Sequence, residues 1–270
     1  LAEHDALRVG EDKGLARLLV WAELALSLAQ RDVEIRYKHS LLGLYWALIN
    51  PLATAAIFAF VFGVIFHASS RPIPYVVFLL TGLTFWNLFA NGVTSATQSV
   101  TGNATLLAKV YFPRVVLPLA AVLARLIDFA FSLVVLAVFL LAYRVPIHAE
   151  AALLPLLVLL ELLFTAGVGF AVAALNVLYR DVSQLVGLLL MIWMYLSPVM
   201  YAAQGVPRAL AAALLLNPMG AILEAERDLL FRGTILAPWS VAEAVGWALL
   251  AVTGGYLVFR RLEPLFAEVM

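Results

Sequence analysis

Arg125 and Asp128 stand in a stretch otherwise built of Leu, Ala, Val, Ile and Phe. They are three residues apart and therefore adjacent on a helix surface. A lone charge at mid-bilayer costs more than about 2.5 kcal/mol, so such residues pair or face water. Two roles fit: an ion pair within one helix that locks packing, or a polar group on a translocation route. Glu161 and Glu243 are further acids in apolar surroundings, the second near the end of its helix, and neither has an evident partner. A proton relay asks for more carboxylates in register than these. The four histidines, His4, His39, His67 and His148, are scattered, and there is no cysteine, so neither a metal cluster nor a disulfide is expected. No G-x-x-x-x-G-K-[ST] phosphate loop and no G-x-S-x-G elbow occurs, which leaves catalysis by this chain alone without a constellation.

Aromatic residues make up 11% of the chain, enough to line a route. Phe58 and Phe62, Phe85, Trp86 and Phe89, and Trp193 and Tyr195 are candidate lining residues. Their faces suit the C–H surfaces of sugar rings. Packing in the core or in interfacial belts explains membrane aromatics equally well.

The elements that must position these residues are membrane helices. Hydrophobic residues are 64% and charged residues 13% of the chain, far from the 45–50% and roughly 25% of soluble domains. Basic and acidic residues balance at 17 each, so charge argues for no nucleic acid partner. Nothing charged lies between His39 and His67, and the run 41–66 exceeds the roughly 20 residues a spanning helix needs. Further spans are expected over 75–99, 115–142, 151–178, 185–203 and 239–259, giving an all-α integral membrane protein of six crossings. The polar run NLFANGVTSATQS in the second span should face protein or a water-filled cavity. Gly167 and Gly169 suit close helix packing. Residues 205–235 fit no span; two short helices that dip into the bilayer without crossing are expected there.

Ahead of the first span, residues 1–14 read as a polar tail, and 15–37 as an amphipathic helix in the membrane interface. Trp21, Ala25, Leu28 and Ile35 fall on one side of it, with Glu23, Ser27, Gln30, Arg31 and Glu34 on another. Residues 1–38 thus form an N-terminal tail and interface helix, and 39–270 the transmembrane domain. Since the chain starts at Leu1, its initiator end is expected to be trimmed or processed, and nothing before Trp21 reads as a cleavable signal. Arg31, Arg36, Lys38, Lys109, Arg114, Arg180, Arg260 and Arg261 lie on the side of the termini, against Arg71, Arg144, Arg208, Arg227 and Arg232 opposite. This bias places both termini in the cytoplasm.

The stretch RDVEIRYKHSLLGLYWALINPL, with Arg31, Asp32, Arg36, Tyr37, Lys38, Leu42, Gly43, Trp46, Asn50 and Pro51, resembles the opening of permeases of polysaccharide-exporting ABC transporters, the O-antigen, capsule and teichoic-acid exporters. LLAKVYFPRVVLP, LNVLYRDVSQLV with Asn176, Tyr179, Arg180 and Asp181, and Asn217–Met219 extend the resemblance in the same order along nearly the whole chain. The resemblance implies a homodimer in the bacterial cytoplasmic membrane with two copies of a separate ABC ATPase subunit. That subunit would bind ATP and magnesium, and this chain would hold no cofactor. It further implies that Lys109, Arg114, Tyr179, Arg180 and Asp181 couple to the ATPase. Arg31, Arg36 and Lys38 would sit near lipid headgroups or a lipid pyrophosphate, and Phe58, Phe62, Trp193 and Tyr195 along the route of a lipid-linked polysaccharide. The segment 207–231 would be a pair of gate helices. A permease for a drug or a lipid would share the spans without the opening motif; a secondary transporter would depend on an ion gradient instead.

Overall fold

In a computed structural model, residues 2–38, 43–65, 73–107, 109–110, 112–202, 217–233 and 238–266 are described, without the side chains of 2–19, 44, 58, 59, 62, 63 and 238–240. The described elements are helices: α1 (Ala2–Tyr37), α2 (Trp46–Phe58, continued by a π-helical turn at Ala59–Ile65), α3 (Tyr75–Ser99), α4 (Val116–Leu123), α5 (Leu126–Ala142), α6 (Leu154–Leu178), α7 (Val182–Leu196), α8 (Pro218–Arg227) and α9 (Pro238–Leu262). Four helical stretches among them are long and apolar enough to cross a membrane: Tyr75–Ser99, Val116–Ala142, Ala149–Leu178 and Val241–Leu265. The helical parts of the expected first and fifth spans, Trp46–Ile57 and Val182–Leu196, are shorter apolar helices. The expected first short helix of the 205–235 segment falls on 203–216, outside the described residues.

Three boundaries differ from the sequence reading, each for a local reason. The segment read as a polar tail is helical from Ala2, since its Ala, Leu, Glu, Lys and Arg are good helix formers whatever their polarity. The third span bends at Ala124–Arg125, where Arg125 N–H bonds the Val122 carbonyl in a tight 3₁₀-type turn. The fifth ends at Leu196 rather than 203, because Ser197 precedes Pro198 and takes an extended conformation. Ile35, grouped with Trp21, Ala25 and Leu28, is 66% exposed, whereas Ala25, Leu28 and Ala29 are buried.

α3 and α6 form the centre. α3 is covered by α2, α4, α5, α6, α7 and α8, which buries Phe85, Trp86 and Phe89. α6 lies between α3 and α9. Gly167 and Gly169, two positions apart, face different neighbours. A Cβ on Gly167 would meet the backbone of Ala251 and Val252 on α9, and one on Gly169 would meet Ala96 on α3. Gly255 answers Gly167 across the α6–α9 contact. Small residues of this kind let membrane helices approach closely enough for dispersion to hold them. A second cluster docks α1: Ala25, Leu28 and Ala29 pack with Leu117, Ala120 and Ala124 of the α4 segment, near Phe170, Phe259 and Phe266. The outer faces of α5, α7 and α9 expose Val134, Val138, Leu188, Leu189, Leu250 and Leu257, an apolar surface suited to lipid or a partner helix.

Candidate functional site

Polar residues recur on α3 at Thr84, Asn87, Asn91 and Ser95, on α2 at Asn50 and Thr54, and on α5 at Asp128 and Ser132. Steps of three and four keep each set on one helix face. Packing of α2, α3 and α5 turns these faces towards one another around a cavity of about 390 Å³. The C-terminal end of α1 closes it with Arg36 and Tyr37, while Trp46, Ala47, Pro51 and Phe129 supply apolar wall. Of the polar half of the second span, Asn87 and Asn91 line this cavity and Thr97 is buried, whereas Thr94 and Gln98 are exposed.

Asp128 is the electrostatic centre. Its Oδ2 accepts from Arg36 Nη1 at 2.7 Å and from Arg125 Nη1 at 3.2 Å, and its Oδ1 accepts from the Tyr37 hydroxyl. Arg125 Nε also donates to Ser95 Oγ at 2.6 Å, tying the bend between α4 and α5 to α3. Side chains of Arg36, Arg125 and Asp128 are 27%, 23% and 25% exposed, so this triad is neither dry nor at the open surface. Two guanidiniums share one carboxylate, which leaves one positive charge in excess. Burial, followed by the bond to Asp128, pushes the Tyr37 hydroxyl up to about 12. Thr84 is 2% exposed, and its hydroxyl on the cavity wall meets no partner among the described residues.

A second polar constellation lies where α8 meets the bundle. Asn217 caps α8 by accepting from Gly220 N–H at 3.2 Å. The same Oδ1 accepts from Trp193 Nε1 at 2.8 Å, and Nδ2 donates to Ser197 Oγ at 2.9 Å and to the Leu196 carbonyl at 3.3 Å. One side chain thereby fastens the end of α7 to the start of α8. Arg227 lies over the Phe78 ring at 3.8 Å and donates to the carbonyls of Pro198 and Val199 and to Glu224. Beside it, Glu161 and Glu226 are wholly buried with their carboxyl groups close together, and none of the four carboxyl oxygens meets a donor among the described residues.

A family model described as ABC-2 type transporter matches residues 23–231. This chain belongs to that family. An O-antigen export system permease protein RfbA of Klebsiella pneumoniae is 33% identical over 92% of this chain and 95% of its own length. The RfbA of Myxococcus xanthus is 30% identical over 91% and 94%. The polysialic acid transport protein KpsM of Escherichia coli is 23% identical over 88% and 92%. The ABC-2 match covers the cavity, α7 and α8 together.

Within this ABC-2 protein, the sequence-selected residues do not gather at one site. Arg36 meets Arg125 and Asp128 at the cavity. Arg31 instead pairs with Asp32 at 2.9 Å and Asn103 at 2.7 Å, and Lys38 is exposed. Lys109, Tyr179, Arg180 and Asp181 are exposed, and Asn176 Nδ2 donates to the Thr97 carbonyl at 2.9 Å, which ties the end of α6 to the end of α3. Arg114 is held more firmly there, donating to the Glu263 carbonyl at 3.2 Å and lying 5.7 Å from the Phe266 ring. Trp193 packs against Phe89 and Phe164, and Tyr195 is 63% exposed. The side chains of Phe58 and Phe62 lie outside the described set. Tyr37, Thr84 and Asn87 escaped the sequence reading as site residues, although the four-residue rhythm of Asn87, Asn91 and Ser95 carried the signal. The Glu226 partner of Glu161 had none.

Proposed function

We propose that this chain is the transmembrane permease subunit of an ABC exporter that moves a lipid-linked polysaccharide across the bacterial cytoplasmic membrane. One observation carries the reading: relatives named as O-antigen export permeases align at 30–33% identity over more than nine-tenths of both chains. Capsule and polysialic acid transport proteins match more distantly over most of the same length. The protein works as a homodimer with two copies of an ABC ATPase subunit, which binds ATP and magnesium and performs the hydrolysis. Six crossings with both termini cytoplasmic, and α8 as part of a re-entrant gate, complete the arrangement. Lys109, Arg114, Tyr179, Arg180 and Asp181 seat against the ATPase. The tie between the ends of α6 and α3 supports this, because a rigid turn between α6 and α7 passes a push from below directly into both helices.

The test is co-purification of this chain with an ABC ATPase subunit from the same organism, followed by ATPase assay in nanodiscs. Arg180→Ala and Asp181→Ala alter exposed turn residues, so their effect on folding should stay within about 0.5 kcal/mol. A complex with two copies of each chain, whose coupled ATPase falls several-fold in both variants, is expected. A chain that binds no ATPase and transports only under an imposed ion gradient would overturn the reading.

A further inference from the structure

The cavity between α1, α2, α3 and α5 carries features that ion-pair packing alone does not need. Asp128 already accepts from Arg36, Arg125 and Tyr37, yet the triad retains one positive charge. Asp128 and Ser95 engage one nitrogen of Arg36 and two of Arg125, out of five N–H donors on each guanidinium. Asn50, Thr54, Asn87 and Asn91 add paired donors and acceptors around the same space, and the buried Thr84 hydroxyl has no partner among the described residues. Pro51 cannot donate to the Ala47 carbonyl, and Ala47 is itself a wall residue. Trp46 and Phe129 offer flat apolar faces. At about 390 Å³ the cavity falls in the range of small-molecule sites.

We propose that this cavity binds a hydroxyl-rich ring carrying one phosphate-type anion, the anion on the Arg36–Arg125 side and the ring among the α2 and α3 amides and Thr84. The inference rests on the export reading only for its biological use: such a group is the joint between a lipid and a glycan. The same chemistry occurs on a soluble sugar phosphate and on a membrane glycolipid headgroup, which the experiment separates. Amides and hydroxyls bond ring hydroxyls in both directions, and guanidinium forks match phosphate oxygens. Neutral sugars lack the anion, and inorganic phosphate lacks the ring.

The test uses the full-length permease in phosphatidylcholine nanodiscs, without the ATPase. Binding is read by native mass spectrometry and by Trp fluorescence, with Trp46→Phe identifying the reporting indole. The probes are N-acetylglucosamine 1-phosphate, N-acetylglucosamine, inorganic phosphate, and nanodiscs doped with phosphatidylinositol, whose headgroup is a polyol ring on one phosphodiester. Both ring phosphates should bind at least tenfold more tightly than the neutral sugar or inorganic phosphate. Retention of phosphatidylinositol in preference to the soluble probe assigns the site to a lipid headgroup; the reverse order assigns it to a soluble ligand. Thr84→Val should weaken binding several-fold while raising the Tm of the ligand-free protein, since it removes a buried hydroxyl without a partner among the described residues. Asn91→Leu, at an exposed wall position, should weaken binding with little change in Tm. Equal affinity for all three soluble probes, or binding indifferent to both variants, overturns the proposal. These results are independent of the export reading: failure here with an intact ATPase complex removes the ligand, whereas binding without any ATPase complex removes the exporter.

Discussion

Asp128→Asn removes the charge that holds three donors while keeping the size of the side chain and one acceptor for Tyr37. Hydrogen bonds to charged groups contribute about 1.5–3 kcal/mol, and stripping one partner from a buried ion pair costs about 3–5 kcal/mol. The three side chains are each about a quarter exposed, which argues for the lower part of that range. A loss of about 2–3 kcal/mol is expected, a fall in Tm on the order of 4–12 °C for a chain of this size. The end of α1 should loosen as well, since among the described residues Arg36 and Tyr37 bond to α5 through this carboxylate. The chain contains no cysteine, so a single Ala29→Cys reports on α1 docking without background. Ala29 is 7% exposed against α4, and its thiol should become more reactive in the Asp128→Asn background. A double-mutant cycle with Arg36→Met isolates the pair and should show coupling above about 1 kcal/mol. A Tm change under 1 °C, with zero coupling and unchanged thiol reactivity, would refute the triad as the anchor of α1.

Tyr37 predicts an alkaline effect: its hydroxyl is raised from 10.0 to about 12, so its contribution to stability is complete below pH 10 and is lost as pH climbs towards 12. Tyr37→Phe should flatten that part of a pH–unfolding profile followed by circular dichroism; an unchanged slope would count against the bond to Asp128. Asn217→Ala removes an N-cap and strands the Trp193 indole N–H, so a loss of about 2–3 kcal/mol is expected in thermal unfolding. Glu161→Gln gives Glu226 an amide donor and should leave Tm unchanged or higher, whereas Glu161→Ala leaves Glu226 buried alone and should lower it. Equal loss in the two Glu161 variants would show that the carboxyl groups do not meet.

Local chemistry made much of this protein legible. Windows of apolar residues mark spans because a bilayer tests each helix separately, so 75–99 matched α3 end to end and 151–178 nearly coincided with Ala149–Leu178. The opening motif around Arg36 and the turn at Arg180–Asp181 carried the resemblance, and both lie inside the stretch 23–231 that the family model matches. Boundaries failed where a neighbour in sequence mattered more than hydrophobicity, as at Ser197-Pro198.

Tertiary structure decided the partners. Arg125–Asp128 was readable because its members are one helical turn apart, but the donors that complete it come from Arg36 and Tyr37, about ninety residues away. Glu161 found Glu226, and Asn217 found Trp193, by the same kind of encounter. Helix periodicity tells which residues share a face and nothing about which face meets which. That choice belongs to packing, to the glycines that let α6 approach α9 and to the small residues under α1, and only there do three polar stripes become one charged cavity.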